Sequence, residues 1–214
     1  MLFSRISLLL LSICVIALSA CGWYIAPPAS KADWEQLAKL LAQESAPQPP
    51  GDDKNAIANL QWNLWGQRQT QDALYRRYVR TARQLKGSKY AVLVAKEWGQ
   101  VLGVAEMGKD EQRRPILGVL SVSPIARRQG IGAALVQKCE EIAVTVWQEE
   151  KLWVEVETTN HAALHFFQFA CGYTDTDERS MVAVQRRQGV EEKPHVVLSK
   201  SLQPCDASVE QHRT

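Results

Sequence analysis

Two glycines, Gly130 and Gly132, open a stretch whose apolar residues recur at helical spacing, directly after Arg127, Arg128 and Gln129. A β-branched and apolar run ends near Val122, and Ser123-Pro124-Ile125-Ala126 carries the chain out of it as a turn. Glycines at a helix entrance let backbone N–H groups approach a ligand without interference from a Cβ. The first N–H groups of a helix lack intrahelical partners and lie at the positive end of its dipole. Such a loop binds anions, and a pyrophosphate suits it best. The amides of Gly130, Ile131, Gly132 and Ala133 would supply the donors, with Arg127, Arg128 and Gln129 at the rim. Taken alone, the same spacing is equally well explained as a tight turn that starts a helix.

A second constellation follows at a fixed distance. After the strand-like Leu152 to Val156 comes Asn160-His161-Ala162-Ala163-Leu164-His165-Phe166-Phe167, then Cys171-Gly172-Tyr173. With the first loop, this resembles the GNAT superfamily of N-acetyltransferases. That family's acetyl-CoA motif is Arg/Gln-x-x-Gly-x-Gly/Ala, and Arg127, Gly130 and Gly132 fill its three positions. Val122-x-Pro124 suits the pattern before it. The second segment is similar to the family's Asn-x-x-Ala, aromatic pair and closing Gly-aromatic. The resemblance covers roughly residues 55–202. It implies acetyl-CoA as co-substrate and transfer of the acetyl group to a primary amine. It also implies a backbone N–H at Val122 or its neighbour facing the oxyanion, and Asn160 and Phe167 bordering the pantetheine arm. Two departures stand out. A tyrosine often serves as general acid seven residues after the asparagine, but Phe167 stands there and has no proton to give. One extra residue also separates the aromatic pair from Gly172.

A direct attack by an amine needs the amine neutral, so a base or a water chain must take its proton. The run Pro115 to Val122 holds no carboxylate. Glu106, near the end of the preceding strand, is one candidate. Glu155 and Glu157 are others, two apart and therefore on one strand face. A carboxylate in such a place is more often a solvated strand-edge residue. His161 and His165 share a helix face, but no third ligand accompanies them, so no metal site is expected.

Two rival readings remain open. A dinucleotide-binding enzyme would also use Gly130-x-Gly132, but Leu135 stands where its third glycine belongs. The seven-residue connection Ser123 to Gln129 is also too long for that tight turn. A non-catalytic acyl-CoA sensor or adaptor is favoured by Phe167 and by the unassigned base.

The elements that must position these residues follow from periodicity. Lys31 to Glu44 has helical spacing in Trp34, Leu37, Leu40 and Leu41. The Pro-rich stretch Ser45 to Lys54 reads as a linker, with the domain beginning near Asn55 and a first strand at Ile57 to Trp65. Thr70 to Leu85 reads as a helix. Tyr90 to Ala95 and Val101 to Met107 form a hairpin around Glu97-Trp98-Gly99-Gln100, and Pro115 to Val122 is the next strand. Gly130 to Gln148 and Asn160 to Ala170 are helices. Two final strands, from Tyr173 and over His195 to Ser199, flank a polar hairpin from Glu178 to Pro194. The order implies an α/β fold with a mixed, mostly antiparallel sheet flanked by helices, in line with the GNAT-like acyl-CoA N-acyltransferase fold. Acceptor-binding loops are expected at Leu60 to Thr70 and Asp177 to Lys193.

Composition sets outer limits. At 214 residues and 46% apolar, the chain can bury one ordinary core with extensions. Its net charge of +2 argues neither for nor against nucleic acid, its arginine pairs are isolated, and no nucleic-acid partner is expected. The five cysteines show neither a CxxC pair nor metal-ligand spacing. Residues 1–22 read as a signal peptide or membrane anchor. Arg5 precedes an apolar run from Ile6 to Leu18, and Leu18-Ser19-Ala20-Cys21 resembles a bacterial lipoprotein signal. Residues 23–54 then form a helix and linker, 55–202 the transferase domain, and 203–214 a polar tail. Membrane association is expected, or a cytoplasmic location if the first segment is no true signal.

Overall fold

In a computed structural model, residues 22–45, 68–81, 89–186 and 189–202 are described, apart from the side chains of 44–45 and 180–192. The targeting segment, most of the Pro-rich stretch, the strand expected at Ile57 to Trp65 and the tail lie outside these residues. The elements are β1 (Tyr24–Ala26), α1 (Lys31–Ser45), α2 (68–81), β2 (Ala91–Glu97), β3 (Gln100–Lys109) and β4 (Pro115–Val122). A 3-10 turn (Pro124–Ala126) leads to α3 (Ile131–Thr145) and β5 (Lys151–Glu157). α4 (His161–His165) runs into a π-helical turn (Phe166–Ala170), and β6 (Thr174–Arg186) and β7 (Gly189–Ser201) finish the sheet. The seven strands lie in the order β1-β2-β3-β4-β5-β7-β6. β4 and β5 run parallel, while β1–β2, β5–β7 and β6–β7 are antiparallel. The expected mixed, mostly antiparallel sheet with flanking helices is what the chain adopts.

The chain divides into two units. One holds residues up to Glu106 together with Val119–Leu135, and the other holds Met107–Gly118 with Val136–Thr214. In the first unit, Leu37, Leu40 and Leu41 of α1 and Tyr78 of α2 bury against Val92, Val94 and Val104. This is the face that the helical spacing predicts. β1 pairs with β2 through Tyr24↔Lys96 and Ala26↔Val94. The sheet therefore draws in residues on the N-terminal side of the Pro-rich stretch, which the sequence reading placed outside the domain. A three-residue strand with one apolar side is too short for alternation to reveal it.

The start of α1 is tied down twice. Asp33 accepts from the amides of Ala29 and Ser30, and Ser30 Oγ accepts from the Asp33 amide, a reciprocal capping arrangement. The other oxygen of Asp33 takes Lys96 Nζ at 2.6 Å. Burial pushes the Asp33 carboxyl up, but the Lys96 ammonium and the two amides outweigh it and hold it below the ordinary range.

In the second unit, β6 and β7 pair from Thr174↔Ser199 to Arg186↔Gly189, with a bulge between Asp175 and Arg179. The polar hairpin expected from Glu178 to Pro194 is present, and the two strands run through most of its length.

Candidate active site

The loop from Val122 to Ala133 is built within the first unit. At its start, the Ser123 amide donates to Leu102 O at 2.8 Å, which ends the strand in register with β3. The 3-10 turn then closes with Ala126 N to Ser123 O, and Arg127 Nε reaches back to Val122 O at 3.1 Å. Arg127 thus braces its own loop, in addition to any role at the rim. Arg128 has φ +65 and Gly130 φ +80. A left-handed arginine costs about 1–2 kcal/mol, and strain of this kind collects at functional loops. Ala134 N donates to Gly130 O at 3.0 Å, the first bond of α3. Gly130 is therefore the N-cap, and it brings no side-chain acceptor to the helix end. A Cβ built on it would meet nothing within 4 Å. The amides of Ile131, Gly132 and Ala133 face an open entrance, as a pyrophosphate needs.

Sequence reasoning missed Gly103. It lies in β3, and a Cβ there would stand 3.1 Å from both Ile131 Cγ2 and Leu135 Cδ1 and 3.2 Å from Ser121 O. Ile131 and Leu135 are fully buried. The missing side chain at Gly103 lets the first turn of α3 seat on the sheet and so aims the cradle. A glycine inside an apolar strand was the available signal.

β4 and β5 pair only at Ile116↔Trp153 and Leu117↔Val154, although the strands run on to Val122 and Glu157. An oxyanion donor must be an amide that is not already engaged. Of the two positions considered, Ser123 has its N–H engaged by Leu102, which leaves Val122.

Glu106 emerges as the centre of a cluster in the first unit. Tyr78 Oη donates to its Oε2 at 2.6 Å and Tyr90 Oη to its Oε1 at 2.9 Å. Burial, then the Glu106 charge, push both phenols far above the ordinary tyrosine range. They therefore stay protonated and act as donors, fixing the carboxylate in one orientation. The tyrosines come from α2 and from the lead into β2, so no local motif announces the cluster.

Asn160, Phe167, Glu155 and Glu157 belong to the second unit. Asn160 Oδ1 accepts from the Ala163 amide at 3.1 Å and caps α4. Phe167 is buried, with its ring edge-on to Tyr173 at 5.6 Å between centroids. The extra residue before Gly172 is absorbed by the π-helical turn: Cys171 N donates to Phe166 O and Tyr173 N to Phe167 O. Tyr173 is itself buried, and burial together with the Glu140 carboxylate pushes its phenol far up. Glu157 is held below the ordinary carboxylate range by Lys193 Nζ and Thr159 Oγ1, which bond to it at 2.5 and 2.6 Å. Unlike Glu106, whose partners are neutral phenols, Glu157 is ion-paired with Lys193, and taking a proton would give up that pairing. Glu155 is half-buried on the same strand face. His165 stacks on Phe169 with centroids 4.6 Å apart.

Comparison with known proteins agrees with this geometry. The family model described as the acetyltransferase (GNAT) family matches residues 54–173. No curated protein sequence matches the chain. Among solved structures, an N-acetyltransferase from Staphylococcus aureus is similar at 15% identity with a TM-score of 0.58, covering 85% of this chain and 99% of that one. A ribosomal-protein-alanine N-acetyltransferase from Brucella melitensis is similar at 20% identity and TM-score 0.56, over 83% and 99%. A Thermoplasma acidophilum N-acetyltransferase in complex with coenzyme A is similar at 15% and 0.55, over 84% and 98%. At these identities the likeness is one of fold.

Proposed function

This chain belongs to the acetyltransferase (GNAT) family, with acetyl-CoA as its co-substrate, and we propose that it transfers the acetyl group to a primary amine. The observation that carries the reading is the open α3 entrance at Gly130, to which the amides of Ile131, Gly132 and Ala133 point. Arg128 and Gln129 flank the pyrophosphate there. In the reaction, the amine nitrogen forms a bond to the thioester carbonyl carbon. The tetrahedral oxyanion is met by the Val122 amide. Collapse breaks the C–S bond, and the leaving thiolate takes a proton from water, since Phe167 has none to give. Holding both substrates in one cleft supplies much of the rate.

Glu106 is the base we favour over Glu155. Its two oxygens are oriented by Tyr78 and Tyr90, so the lone pairs left to it point in fixed directions. General-base removal contributes about 10²–10⁴-fold. Glu106→Gln should therefore lower kcat by about that factor while acetyl-CoA affinity is unchanged. The assay is thiol release across a panel of small amines, peptide N-termini and protein lysines. Turnover with one acceptor class supports the reading. Tight acetyl-CoA binding with no thiol release on any acceptor would instead support the non-catalytic sensor.

We further propose that the apolar run from Ile6 to Leu18 tethers the chain to a membrane, with the domain on the side that supplies acetyl-CoA. None of the described helices is long and apolar enough to cross a membrane, so the tether rests on that run.

A further inference from the structure

The tip of the β2–β3 hairpin is built against its own turn preferences. Glu97 and Gln100 are joined by Trp98 and Gly99 alone, with φ of +48 and +80. Two consecutive left-handed residues make a type I′ turn, whose first position favours asparagine, aspartate or glycine. A tryptophan there is strained, and it gains nothing by packing, because Trp98 is 93% exposed. The turn is held rigid from below. Gln36 of α1 donates to Gly99 O at 3.2 Å and accepts from the Val101 amide at 2.8 Å. A large amphipathic ring is thus displayed on a fixed support at a local cost in stability. Such conflicts between a local rule and the residue chosen mark functional positions.

The chain path says what the ring would meet. β1 lies beside β2, with Tyr24 opposite Lys96, and Tyr24 is also an exposed aromatic at 43%. Gly22 sits against Glu97, whose Oε1 would stand 3.0 Å from a Cβ on that glycine. The described chain thus begins at Gly22, beside the same tip that displays Trp98, and the apolar run that ends at Leu18 precedes it in sequence. Tryptophan and tyrosine settle at membrane–water interfaces, where the ring body is apolar and the polar tip stays wet.

We propose that the β2–β3 tip, through Trp98 with Tyr24 beside it, rests in the interfacial layer of a lipid bilayer. This contact rests on the tether proposed above and adds a second point that fixes how the domain stands on the surface.

The test uses the full chain reconstituted with phosphatidylcholine vesicles carrying bromine on the acyl chains near the headgroup. Flotation reports the tether, and quenching of tryptophan emission reports contact with lipid. Trp98→Asn is the variant, because asparagine suits the turn and the hairpin will fold. The expected result is that both chains float, the wild type is quenched, and the variant loses that quenching. Equal quenching in the two chains, or an unquenched wild type that floats, overturns the hairpin contact and leaves the tether standing. A chain that stays out of the vesicle fraction overturns both. A dimer that Trp98→Asn breaks, with quenching unchanged, assigns the tip to a second copy and also overturns the proposal.

Discussion

The helices α3 and α4 both begin after a strand, yet their N-termini are finished differently. At α4 the Asn160 side chain takes the Ala163 amide, so the helix caps itself. At α3 the cap residue is Gly130, and the first amides face an entrance where a Cβ would meet no atom within 4 Å. A side-chain cap stabilises a helix by satisfying a donor internally. Leaving the donors open forgoes that stability and reserves them for an anion. α3 tolerates this because its stability comes from burial: Ile131, Leu135, Val136 and Cys139 are almost fully enclosed. The five-residue α4 has no buried residue of its own and depends on its cap. The difference teaches that an anion site belongs on the helix whose packing can do without a cap.

Substitutions break that contrast to different degrees. Gly130→Glu should have the largest effect. It sets a carboxylate against the pyrophosphate, and like charges juxtaposed cost several kcal/mol. Acetyl-CoA affinity should fall by about 100-fold or more, while the fold survives because the space is open and the left-handed backbone, φ +80, costs the new side chain only about 1–2 kcal/mol. Equilibrium binding with circular dichroism as the folding control measures it. Gly103→Val ranks next. The new side chain displaces Ile131 and Leu135, an overpacking cost of about 1–3 kcal/mol. Thermal unfolding should show the loss, and acetyl-CoA binding should weaken with it because the cradle is re-aimed. Asn160→Ala should be smallest on binding. Removing the cap costs about 0.5–2 kcal/mol of stability, and acetyl-CoA affinity should change less than after Gly130→Glu. An equal loss in the two variants would erase the distinction between the helix ends.

The same contrast explains what could be read from the residues. Both helices, the hairpin and the interior strands were legible, because glycine spacing, the helical period and short apolar runs act locally. The extra residue before Gly172 was legible as an irregularity, but the π-helical turn that absorbs it has no local residue pattern. Three features were hidden because they depend on distant partners. β1 is three residues long and is defined by β2. Gly103 acquires its role from Ile131 and Leu135, which are distant in sequence. Glu106 was one carboxylate among several until Tyr78 and Tyr90 converged on it. How far β6 and β7 run into their polar hairpin was not legible, because a polar sequence lacks the alternation that marks a half-buried strand.

The central claim is that the α3 N-terminus holds the pyrophosphate of acetyl-CoA. Backbone amide resonances of the isotopically labelled protein, titrated with acetyl-CoA and separately with S-acetyl-pantetheine, test it most directly. Acetyl-CoA should shift the amides of Gly130, Ile131, Gly132 and Ala133, and S-acetyl-pantetheine, which lacks the pyrophosphate, should leave them in place. Saturating acetyl-CoA that leaves those four amides unmoved would contradict the account.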